Sequence, residues 1–493
     1  MRRALAGLVV AALVLGGCTD DDSGDQPRAD PSSPSGPTLA PSTATDEPPG
    51  ADLDLALSEP VEDALYPQVG DPGVDALHYD LTLDWEPTAE LLTASEVLTF
   101  RATGTAERFQ LDLGEPLAVS DVTLDGEPVE VEHRGKDLVV LAPVEEDGRY
   151  ELALSYAGTP VPAAAPTTRS DFSTTGWTIT DDGETWTMQE PFGAYTWYAV
   201  NDQPSDKALY DVTISVPSPW TGVANGELLD RVDDGDRTTT RWHLAEPAAS
   251  YLVTVATGDF TMTEDESASG VPITYWTPAD QPDFVTALQE TPAGLAWLEE
   301  RLGAYPFDTL GVVVVDSESG METQTMITLG DTEYATSPEV LVHEMAHHWY
   351  GDQVTPRDWR DVWMNEGMAM YLQGAWQAEA EDLEVADVMD YWATFEDEYR
   401  AESGPPGDFD PAAFGESNIY YGPALMWQEL RERIGDEAFW SLVRAWPAAR
   451  DNANADRVDY LAWIEERTGE ELTDFFDAWL LGETTPSRDT VVE

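Results

Sequence analysis

The sequence predicts a multidomain α+β protein, with an N-terminal, mostly antiparallel β domain followed by a mainly helical domain. Two observations support this fold class. Between about residues 55 and 265, apolar and polar residues alternate, as strands with one buried face require. From residue 266 to about 485, the apolar spacing becomes helical. At 493 residues the chain is long enough for two or three domains, each with its own core.

The N-terminal segment predicts export. Arg2 and Arg3 precede an apolar run over residues 4–15, which is too short to span a bilayer and is typical of a signal peptide. The run ends in Leu15-Gly16-Gly17-Cys18, which resembles the lipobox of bacterial lipoproteins. We therefore expect residues 1–18 to be a lipoprotein signal peptide, with acylated Cys18 anchoring the protein to the outer face of the bacterial cell membrane unless it is shed. A chance cysteine after an ordinary secretory signal is the alternative. With no other cysteine, the chain can form no intramolecular disulfide.

Composition predicts a tether and excludes some partners. Residues 19–54 are mainly Asp, Ser, Pro, Thr, Gly and Ala, a composition typical of a disordered linker. The formal net charge is −72, from 96 acidic and 24 basic residues spread along the chain. Such a surface repels nucleic acid and anionic lipid head groups, so we expect neither as a partner. It favours cationic substrates or a salty medium, since salt screens the self-repulsion.

Strand signals continue through residues 55–265. Apolar residues alternate at Tyr79, Leu81, Leu83 and Trp85, at Phe109, Leu111 and Leu113, and at Val212, Ile214 and Val216. Between two further alternating pairs stands Asp125-Gly126, which predicts a hairpin turn. We expect a sheet with one solvated face.

Helical spacing dominates residues 266–485. It is clearest over residues 284–302, 337–350 and 423–434, and a short apolar run over residues 310–315 fits a buried strand. Ser337 suits the N-cap of the second helix, Pro338 its first position and Gly351 its C-terminal end.

That helix carries a metal-ligand pattern. His343 and His347 stand four residues apart and therefore face the same way, so their imidazoles can bind one zinc ion. Glu344 can then act on the water that completes a catalytic zinc site. Glu366 follows His347 after 18 intervening residues, enough to turn the chain and present a third ligand from a second helix. The alternatives are two solvated histidines and one acid among 96.

Several motifs together resemble one family. His343-Glu344-x-x-His347, the 18-residue interval and Asn365-Glu366-Gly367 resemble the zinc signature of peptidase family M1, which includes aminopeptidase N and leukotriene hydrolase. Gly320-Met321-Glu322 resembles the family's Gly-x-Met-Glu-Asn exopeptidase motif. Asn201-Asp202-x-Pro204-Ser205-x-Lys207-Ala208 and Asn225-Gly226 resemble its N-terminal β domain. The resemblance spans about residues 75–480.

The resemblance implies roles for individual residues. His343, His347 and Glu366 would be the ligands of one zinc ion, and Glu344 the general base. Glu322 and Glu190, with Gly320 and Met321 beside them, would bind the substrate and hold its free α-amino group. The family's Tyr-x-Lys/Arg-Gly-Ala-Leu pattern aligns with Tyr420-Tyr421-Gly422-Pro423-Ala424-Leu425. It makes Tyr420 the donor to the oxyanion, with Tyr421 as the alternative.

The sequence also departs from the family. The basic residue of the tyrosine motif is absent, and Pro423 replaces its glycine. Thr323 replaces the Asn of the exopeptidase motif and is followed by Gln324. His348, where the family commonly has Gln, is either a solvated neighbour or a group that supports the ligands.

The resemblance implies a β saddle packed on a thermolysin-like catalytic domain, in a short bacterial form of the family. It also implies a zinc-dependent aminopeptidase that acts on peptides with a free N-terminus. An endopeptidase and a catalytically silent peptide-binding surface protein are the alternatives. The sequence does not predict an oligomeric state.

Overall fold

A computed structural model describes residues 52–488. The predicted signal peptide, Cys18 and nearly all of the predicted linker lie outside the described residues. So do residues 489–493. Residues Leu53–Ala56, at the end of the predicted linker, form a short 3₁₀ helix.

The strands of the described part are numbered in chain order. They are β1 (Val74–Glu86), β2 (Leu91–Ala102), β3 (Phe109–Asp112), β4 (Ala118–Leu124), β5 (Glu127–Pro128), β6 (Val131–Arg134), β7 (Asp137–Val140), β8 (Arg149–Gly158), β9 (Ala163–Ala164), β10 (Thr174–Ile179), β11 (Thr185–Met188), β12 (Lys207–Pro217), β13 (Thr221–Ala224), β14 (Glu227–Asp233), β15 (Arg237–Ala249), β16 (Val255–Gly258), β17 (Phe260–Glu266), β18 (Pro272–Pro278), β19 (Leu310–Val315), β20 (Gly320–Met321), β21 (Met326–Gly330), β22 (Thr355–Pro356) and β23 (Asn454–Ala455).

An eight-stranded sheet forms the main layer of the β domain, in the order β14-β15-β12-β1-β2-β8-β4-β5. Its pairs are antiparallel except for β1 and β12, which run parallel. Along β1, Tyr79, Leu81, Leu83 and Trp85 are buried, whereas Asp80 is exposed. The predicted sheet with one buried face is thus confirmed.

Two smaller sheets complete the β domain. One has five strands in the order β13-β16-β11-β10-β9, and the other has three in the order β3-β7-β6. The predicted hairpin turn joins β4 to β5, where Leu124 pairs with Glu127. Asp125 and Gly126 between them have φ values of +52° and +77°. Positive φ at both central residues is what a two-residue type I′ turn requires.

The helices follow in the second half of the chain. They are α1 (Phe284–Ala287), α2 (Thr291–Leu302), α3 (Pro338–His347), α4 (Trp363–Ala380), α5 (Val385–Ser403), α6 (Asn418–Ile434), α7 (Asp436–Ala449), α8 (Arg457–Thr468) and α9 (Thr473–Leu480). Within residues 52–488, none of the helices is both long and apolar enough to cross a bilayer.

A second five-stranded sheet lies in the helical half, in the order β17-β18-β19-β21-β20. Every residue of β19 is buried, as its apolar run predicts, and β19 pairs in parallel with β18 and β21. β20 forms an edge and runs antiparallel to β21. The predicted domain boundary at residues 265 and 266 falls within β17.

Three helix boundaries differ from the sequence prediction. The helix predicted over residues 284–302 is interrupted by a 3₁₀ turn at Leu288–Glu290, and α2 then begins at Thr291 with Pro292 in its first turn. α6 begins at Asn418 rather than Pro423, because fully buried Ile419 packs in the core and outweighs the preference of proline for a first turn. α3 ends at His347, and Gly351 lies beyond it in a turn closed by a hydrogen bond from its N–H to Val354 O.

Candidate metal centre and active site

Three side chains from two helices converge at the predicted metal centre. Ser337 Oγ accepts from Val340 N–H and caps α3, which carries His343 and His347. The two Nε2 atoms lie 3.1 Å apart. Glu366 projects from the first turn of α4, and its Oε2 lies 3.3 Å from Nε2 of His343 and 3.4 Å from Nε2 of His347.

These distances fit one zinc ion. Ligand atoms about 2.0–2.1 Å from a tetrahedral zinc lie about 3.3 Å from one another, close to the separations of the three atoms. The Nδ1–H of His347 donates to Tyr350 O at 3.1 Å, which leaves Nε2 free to bind a metal. The donor set of two imidazoles and one carboxylate is typical of catalytic zinc sites, in which a water takes the fourth position.

The electrostatics favour metal binding. Burial lowers the pKa of His343, which keeps its imidazole neutral. Burial opposes ionisation of Glu366, but the charge of His347 and hydrogen bonds from both histidines outweigh it and lower the pKa to about 2. Burial opposes protonation of His347 as well, but Glu366 and Glu322 raise its pKa well above the usual value. Metal binding would therefore release a proton from His347.

The close packing of α4 against α6 places Glu366. A Cβ added to Gly367 would lie 2.2 Å from Cβ of Pro423, so only glycine fits this contact. Pro423, which replaces the glycine of the tyrosine motif, thus packs against Gly367, the residue after the third ligand. The two positions define how closely α4 approaches α6.

Glu344 lies beside the three ligands. One oxygen of its carboxylate is within 4.8 Å of ligand atoms of His347 and Glu322. A Cβ added to Gly320 would lie 3.0 Å from Glu344 Oε1, so the glycine makes room for the carboxylate. Burial, reinforced by Glu322 and Glu366 and opposed by His347, raises the pKa of Glu344 well above its usual value. A group with a raised pKa can both accept and release a proton near neutral pH.

Two further carboxylates complete the cluster. Oxygens of Glu190, Glu322 and Glu366 lie within 4.8 Å of one another. Oε1 of Glu190 and Oε1 of Glu322 are buried without a hydrogen-bond partner. Burial raises the pKa of both groups, and for Glu190 the charges of Glu322 and Glu366 add to this effect. A cation bound between them would satisfy both oxygens and stabilise their ionised forms.

The β domain holds the segment that carries Glu322. The Nδ2 of Asn225 donates to Gln324 O at 2.6 Å, and Gly226 N–H donates to Thr325 Oγ1 at 2.7 Å. A Cβ on Gly226 would lie 2.0 Å from His243 O, so glycine is needed there. Asn225-Gly226 thus anchors the exopeptidase segment.

Thr323, which replaces the motif asparagine, and the following Gln324 are both buried and hydrogen-bonded. Thr323 Oγ1 hydrogen-bonds Met326 O and Thr328 Oγ1, and Gln324 Nε2 donates to Glu246 O at 3.2 Å. Both side chains are therefore occupied in holding the segment.

The second β-domain motif holds the segment that carries Glu190. Asp202 Oδ2 accepts from Gly193 N–H at 2.8 Å, and Asp202 Oδ1 accepts from Ser250 Oγ at 2.8 Å. The buried ammonium of Lys207 donates to Asp352 O at 2.7 Å, in the turn that follows α3. Asp202 therefore holds the segment that follows Glu190, and Lys207 holds the turn that follows the metal-binding helix α3.

The two motif tyrosines point in different directions. The ring of Tyr420 stacks 6.1 Å from the ring of His343. Burial raises the pKa of Tyr420, and the charges of Glu366, Glu190 and Glu322 add to this effect while that of Arg169 opposes it. Tyr421 instead packs against Trp392 and Tyr399 of α5, with ring centroids at 5.3 and 5.2 Å. The structure therefore places Tyr420 at the site and Tyr421 in an aromatic cluster beside it.

The absent basic residue of the tyrosine motif has a steric reason. A Cβ added to Gly422 would lie 3.0 Å from Glu396 Oε1 and 3.4 Å from Arg400 Nη2. Glu396 and Arg400 form a fully buried ion pair. A long basic side chain at residue 422 would displace that pair.

His348 is not a solvated neighbour. It is fully buried, and its Nδ1 lies 2.8 Å from the hydroxyl of Tyr305. Its Nε2 lies 3.6 Å from Oδ2 of Asp352. Burial and the charge of His347 lower the pKa of His348 to about 3, so the ring is neutral behind the metal ligands.

Arg169 is a site residue that the sequence analysis did not find. It lies between β9 and β10, in the β domain, yet its charge acts on Tyr420 and Glu344 of the helical half. No motif marks it. The only signal in the sequence is the scarcity of basic residues, 24 in 493, which makes each one informative.

The fold and the site together define a metallopeptidase centre of the zinc type, with a carboxylate beside the metal ligands. The model described as "Peptidase M1 N-terminal domain" matches residues 75–252, and that described as "Peptidase family M1 domain" matches residues 286–479. The chain belongs to peptidase family M1.

Known relatives agree with this assignment. Aminopeptidase N of Streptomyces lividans is 26% identical over 443 residues, which cover 82% of this chain and 50% of that protein. Glutamyl aminopeptidase of Homo sapiens is 24% identical over 478 residues, which cover 88% and 49%. The chain thus spans about half the length of the curated relatives it matches.

Solved structures agree as well. A crystal structure of an M1 zinc metallopeptidase from Deinococcus radiodurans has a TM-score of 0.77 and 26% identity, covering 87% of this chain and 99% of that one. A mutant of that protein bound to a Tyr-Ser-Ala substrate gives a TM-score of 0.78 at 25% identity and the same coverage.

Proposed function

We propose that the protein is a zinc-dependent aminopeptidase, which hydrolyses the first peptide bond of substrates with a free N-terminus. The observation that carries this proposal is the pair of carboxylates of Glu190 and Glu322. Each has a buried Oε1 without a hydrogen-bond partner, and each places an oxygen within 4.8 Å of an oxygen of the zinc ligand Glu366. An ammonium group would pair with both carboxylates and fix the end of the peptide one residue from the metal centre. An endopeptidase has no need of such a pair.

The protein's own residues then divide the chemistry. A zinc ion held by His343, His347 and Glu366 would supply a Lewis acid, which would polarise the scissile carbonyl and make the attacking water more acidic. Glu344 accepts the proton of that water and later passes it to the leaving amine. The Tyr420 hydroxyl donates a hydrogen bond to the oxygen on which negative charge develops. Glu190 and Glu322 hold the α-amino group in register during these steps.

The edge strand β20 supports an extended binding mode. Gly320 and Met321 pair with Leu329 and Thr328 of β21 on one side only, because β20 is the last strand of its sheet. The other side is available for main-chain hydrogen bonds with an extended peptide. Such bonds would hold a peptide substrate alongside Glu322 whatever the side chains of the peptide.

The test compares free and blocked N-termini. A panel of aminoacyl amides with a fluorescent leaving group is offered to the zinc-loaded protein, together with the acetylated form of each compound. We expect hydrolysis of the free amides only, and loss of the activity with a zinc chelator. Equal hydrolysis of acetylated compounds would contradict the proposal and favour an endopeptidase. Hydrolysis of neither form, with zinc bound, would favour a peptide-binding protein.

As part of this proposal, the enzyme is exported and held at the outer face of the cell membrane through acylated Cys18. Support comes from the apolar run and the lipobox-like residues before Cys18. We expect the protein to partition into detergent with cell membranes and a Cys18→Ala variant to appear in the aqueous phase. Equal partitioning of the two proteins would contradict the anchor.

A further inference from the structure

The chain between the short N-terminal 3₁₀ helix and β1 forms an irregular segment that contacts both halves of the molecule. We call residues 58–71 the strap. They precede residue 75, where the match to the family's N-terminal domain begins. Both ends of the strap are fastened to the β domain, because Ser58 N–H donates to Asp75 Oδ1 at 3.0 Å and Gly70 N–H donates to Asp112 Oδ2 at 2.6 Å. The middle of the strap is therefore held in a fixed place.

The middle of the strap exchanges hydrogen bonds with the segment that precedes α4. Asp63 Oδ2 accepts from Trp359 N–H at 2.7 Å, and Asp358 Oδ2 accepts from Ala64 N–H at 2.9 Å. Each carboxylate thus accepts from the backbone of the other segment. Asp63 Oδ1 also accepts from Tyr66 N–H at 2.8 Å, and Asp63 is only 2% exposed. Because buried N–H groups need an acceptor, Asp63 ties the two segments together.

A chain of backbone hydrogen bonds continues from Trp359 to the third zinc ligand. Trp359 starts a 3₁₀ turn, and its carbonyl accepts from Val362 N–H at 3.3 Å. The carbonyl of Val362 in turn accepts from Glu366 N–H at 3.1 Å, in the first turn of α4. Three hydrogen bonds therefore link the carboxylate of Asp63 to the backbone of Glu366.

Aromatic packing holds Trp359 from its other side. Trp359 is 1% exposed, and its ring packs edge-on against Tyr251 and Phe414, with ring centroids at 4.9 and 5.3 Å. Tyr66 of the strap packs against the same Phe414 at 6.3 Å, and its hydroxyl donates to Pro411 O at 2.8 Å. Close-packed rings resist displacement. The position of Trp359 is therefore set by these rings and by the strap carboxylate together.

The strap adds a constraint that helix packing does not supply. The contact of Gly367 with Pro423 limits how closely α4 approaches α6. It acts across the helix axis, whereas the hydrogen bonds from Asp63 act at the start of the helix. Both constraints are needed to hold Glu366 Oε2 at 3.3 and 3.4 Å from the two histidine nitrogens.

We propose that Asp63 is a positioning residue for the metal centre, which fixes the start of α4 so that Glu366 completes the zinc site. The ligands belong to the helical half, and the strap of the β domain sets the position of one of them. The inference concerns the metal site, so it holds for an aminopeptidase and an endopeptidase alike.

A double-mutant cycle with zinc affinity as its readout tests the inference. Wild type, Asp63→Ala, Glu366→Ala and the double variant, all full-length and stripped of metal, compete for zinc with a chromogenic chelator well below their Tm. We expect Asp63→Ala to raise the Kd for zinc about 10–100-fold, as for other groups that orient a metal ligand. The double variant should match Glu366→Ala within about twofold, because Asp63 acts only through that ligand. Losses that multiply would overturn the inference.

Asp63→Asn extends the test in case Asp63→Ala does not fold. Its single carboxamide oxygen cannot accept from both segments, so the Kd should rise by a smaller factor. This rise should also vanish when Glu366 is replaced by Ala. An unchanged Kd in any folded variant at Asp63 would overturn the inference.

Glu96→Ala is the matched control. Glu96 is 1% exposed and accepts from Ala199 N–H at 2.9 Å, and its other partner is the hydroxyl of Tyr156, also in the β domain. The substitution should lower the Tm and leave the Kd for zinc unchanged. An equal rise in Kd for Glu96→Ala and Asp63→Ala would overturn the inference, since any loosening of the β domain would then weaken the site.

Activity assays keep this inference separate from the proposed function. Non-additive Kd values in a protein that also hydrolyses acetylated amides would contradict the aminopeptidase proposal and keep the role of Asp63. Hydrolysis of free amides only, with Kd losses that multiply, would keep the aminopeptidase proposal and overturn the role of Asp63.

Discussion

Glu344 is the residue on which the proposed hydrolysis depends most. Its carboxylate lies beside the metal ligands but is not one of them in the set of His343, His347 and Glu366. Glu344→Gln keeps the size of the side chain and removes the proton acceptor, so we expect kcat to fall about 10²–10⁴-fold. Zinc content, measured by atomic absorption, should stay at one ion per chain. Undiminished turnover in the zinc-loaded variant would exclude Glu344 as the general base.

Glu190 and Glu322 are predicted to recognise the free amine. Replacing either with Gln removes one charged hydrogen bond to the ammonium, so kcat/KM for aminoacyl amides should fall about 10–100-fold. Glu184→Gln is the matched control, since Glu184 immediately precedes β11 and accepts from Asp259 N–H instead. The same loss in all three variants would show a general effect of charge rather than recognition of the amine.

The residues of the metal centre could be predicted from the sequence because their spacing is set within single helices. His343 and His347 stand four positions apart on α3, and helix geometry alone places them on one face. Glu190 and Arg169 depend on contacts between distant segments, which no local spacing encodes. Glu190 could be found only by resemblance. Arg169 matches no motif, and only the scarcity of basic residues in the chain draws attention to it.

At the scale of secondary-structure elements, the contact of α4 with α6 determines where Glu366 lies. Gly367→Ala would place a methyl group 2.2 Å from Cβ of Pro423, which the two helices can accommodate only by moving apart. We expect a lower Tm and weaker zinc binding, measured by competition with a chromogenic chelator. Gly104→Ala is the control, because nothing lies within 4 Å of its added Cβ. Unchanged zinc affinity in Gly367→Ala would show that the contact does not place the ligand.

Strand β12 is linked to the turn after α3 through Lys207. Burial lowers the pKa of Lys207 to about 8, from an ordinary value of 10.5. Because the unfolded chain binds this proton more tightly, the contribution of Lys207 to folding becomes more favourable as pH rises from about 8 to 10.5. The Tm of the protein minus that of Lys207→Met should therefore increase across this window. A constant difference would show that the pKa of Lys207 is not lowered by folding.

Element type was easier to predict than element ends. The buried strand β19 matches its apolar run over residues 310–315, because its sequence is apolar on both faces. The start of α6 could not be predicted, since it depends on the burial of Ile419 against distant residues. The end of α3 was wrong for a similar reason. The N–H of Asp352 bonds to His347 O, and the chain leaves the helix before Gly351.

At the scale of the whole molecule, the β domain contributes to the site at several points. Asn225-Gly226 holds the segment of Glu322, Asp202 holds the segment of Glu190, and Arg169 donates to Gly415 O in the segment before α6. The resemblance to family M1 located the first two motifs but not their role as anchors. The helical half therefore holds the metal ligands, and the β domain sets the geometry around them.

The net charge of −72 is a property of the whole chain, and it predicts how stability responds to salt. The screening length falls from about 30 Å at 0.01 M to about 3 Å at 1 M ionic strength, which removes most repulsion between surface carboxylates. We therefore expect the Tm of the zinc-loaded protein to rise steadily over this range. Sucrose at equal osmolality is the control, since it favours compact states without screening charge. A Tm that stays constant or falls with salt would show that ion pairs within the fold outweigh the repulsion among its excess acids.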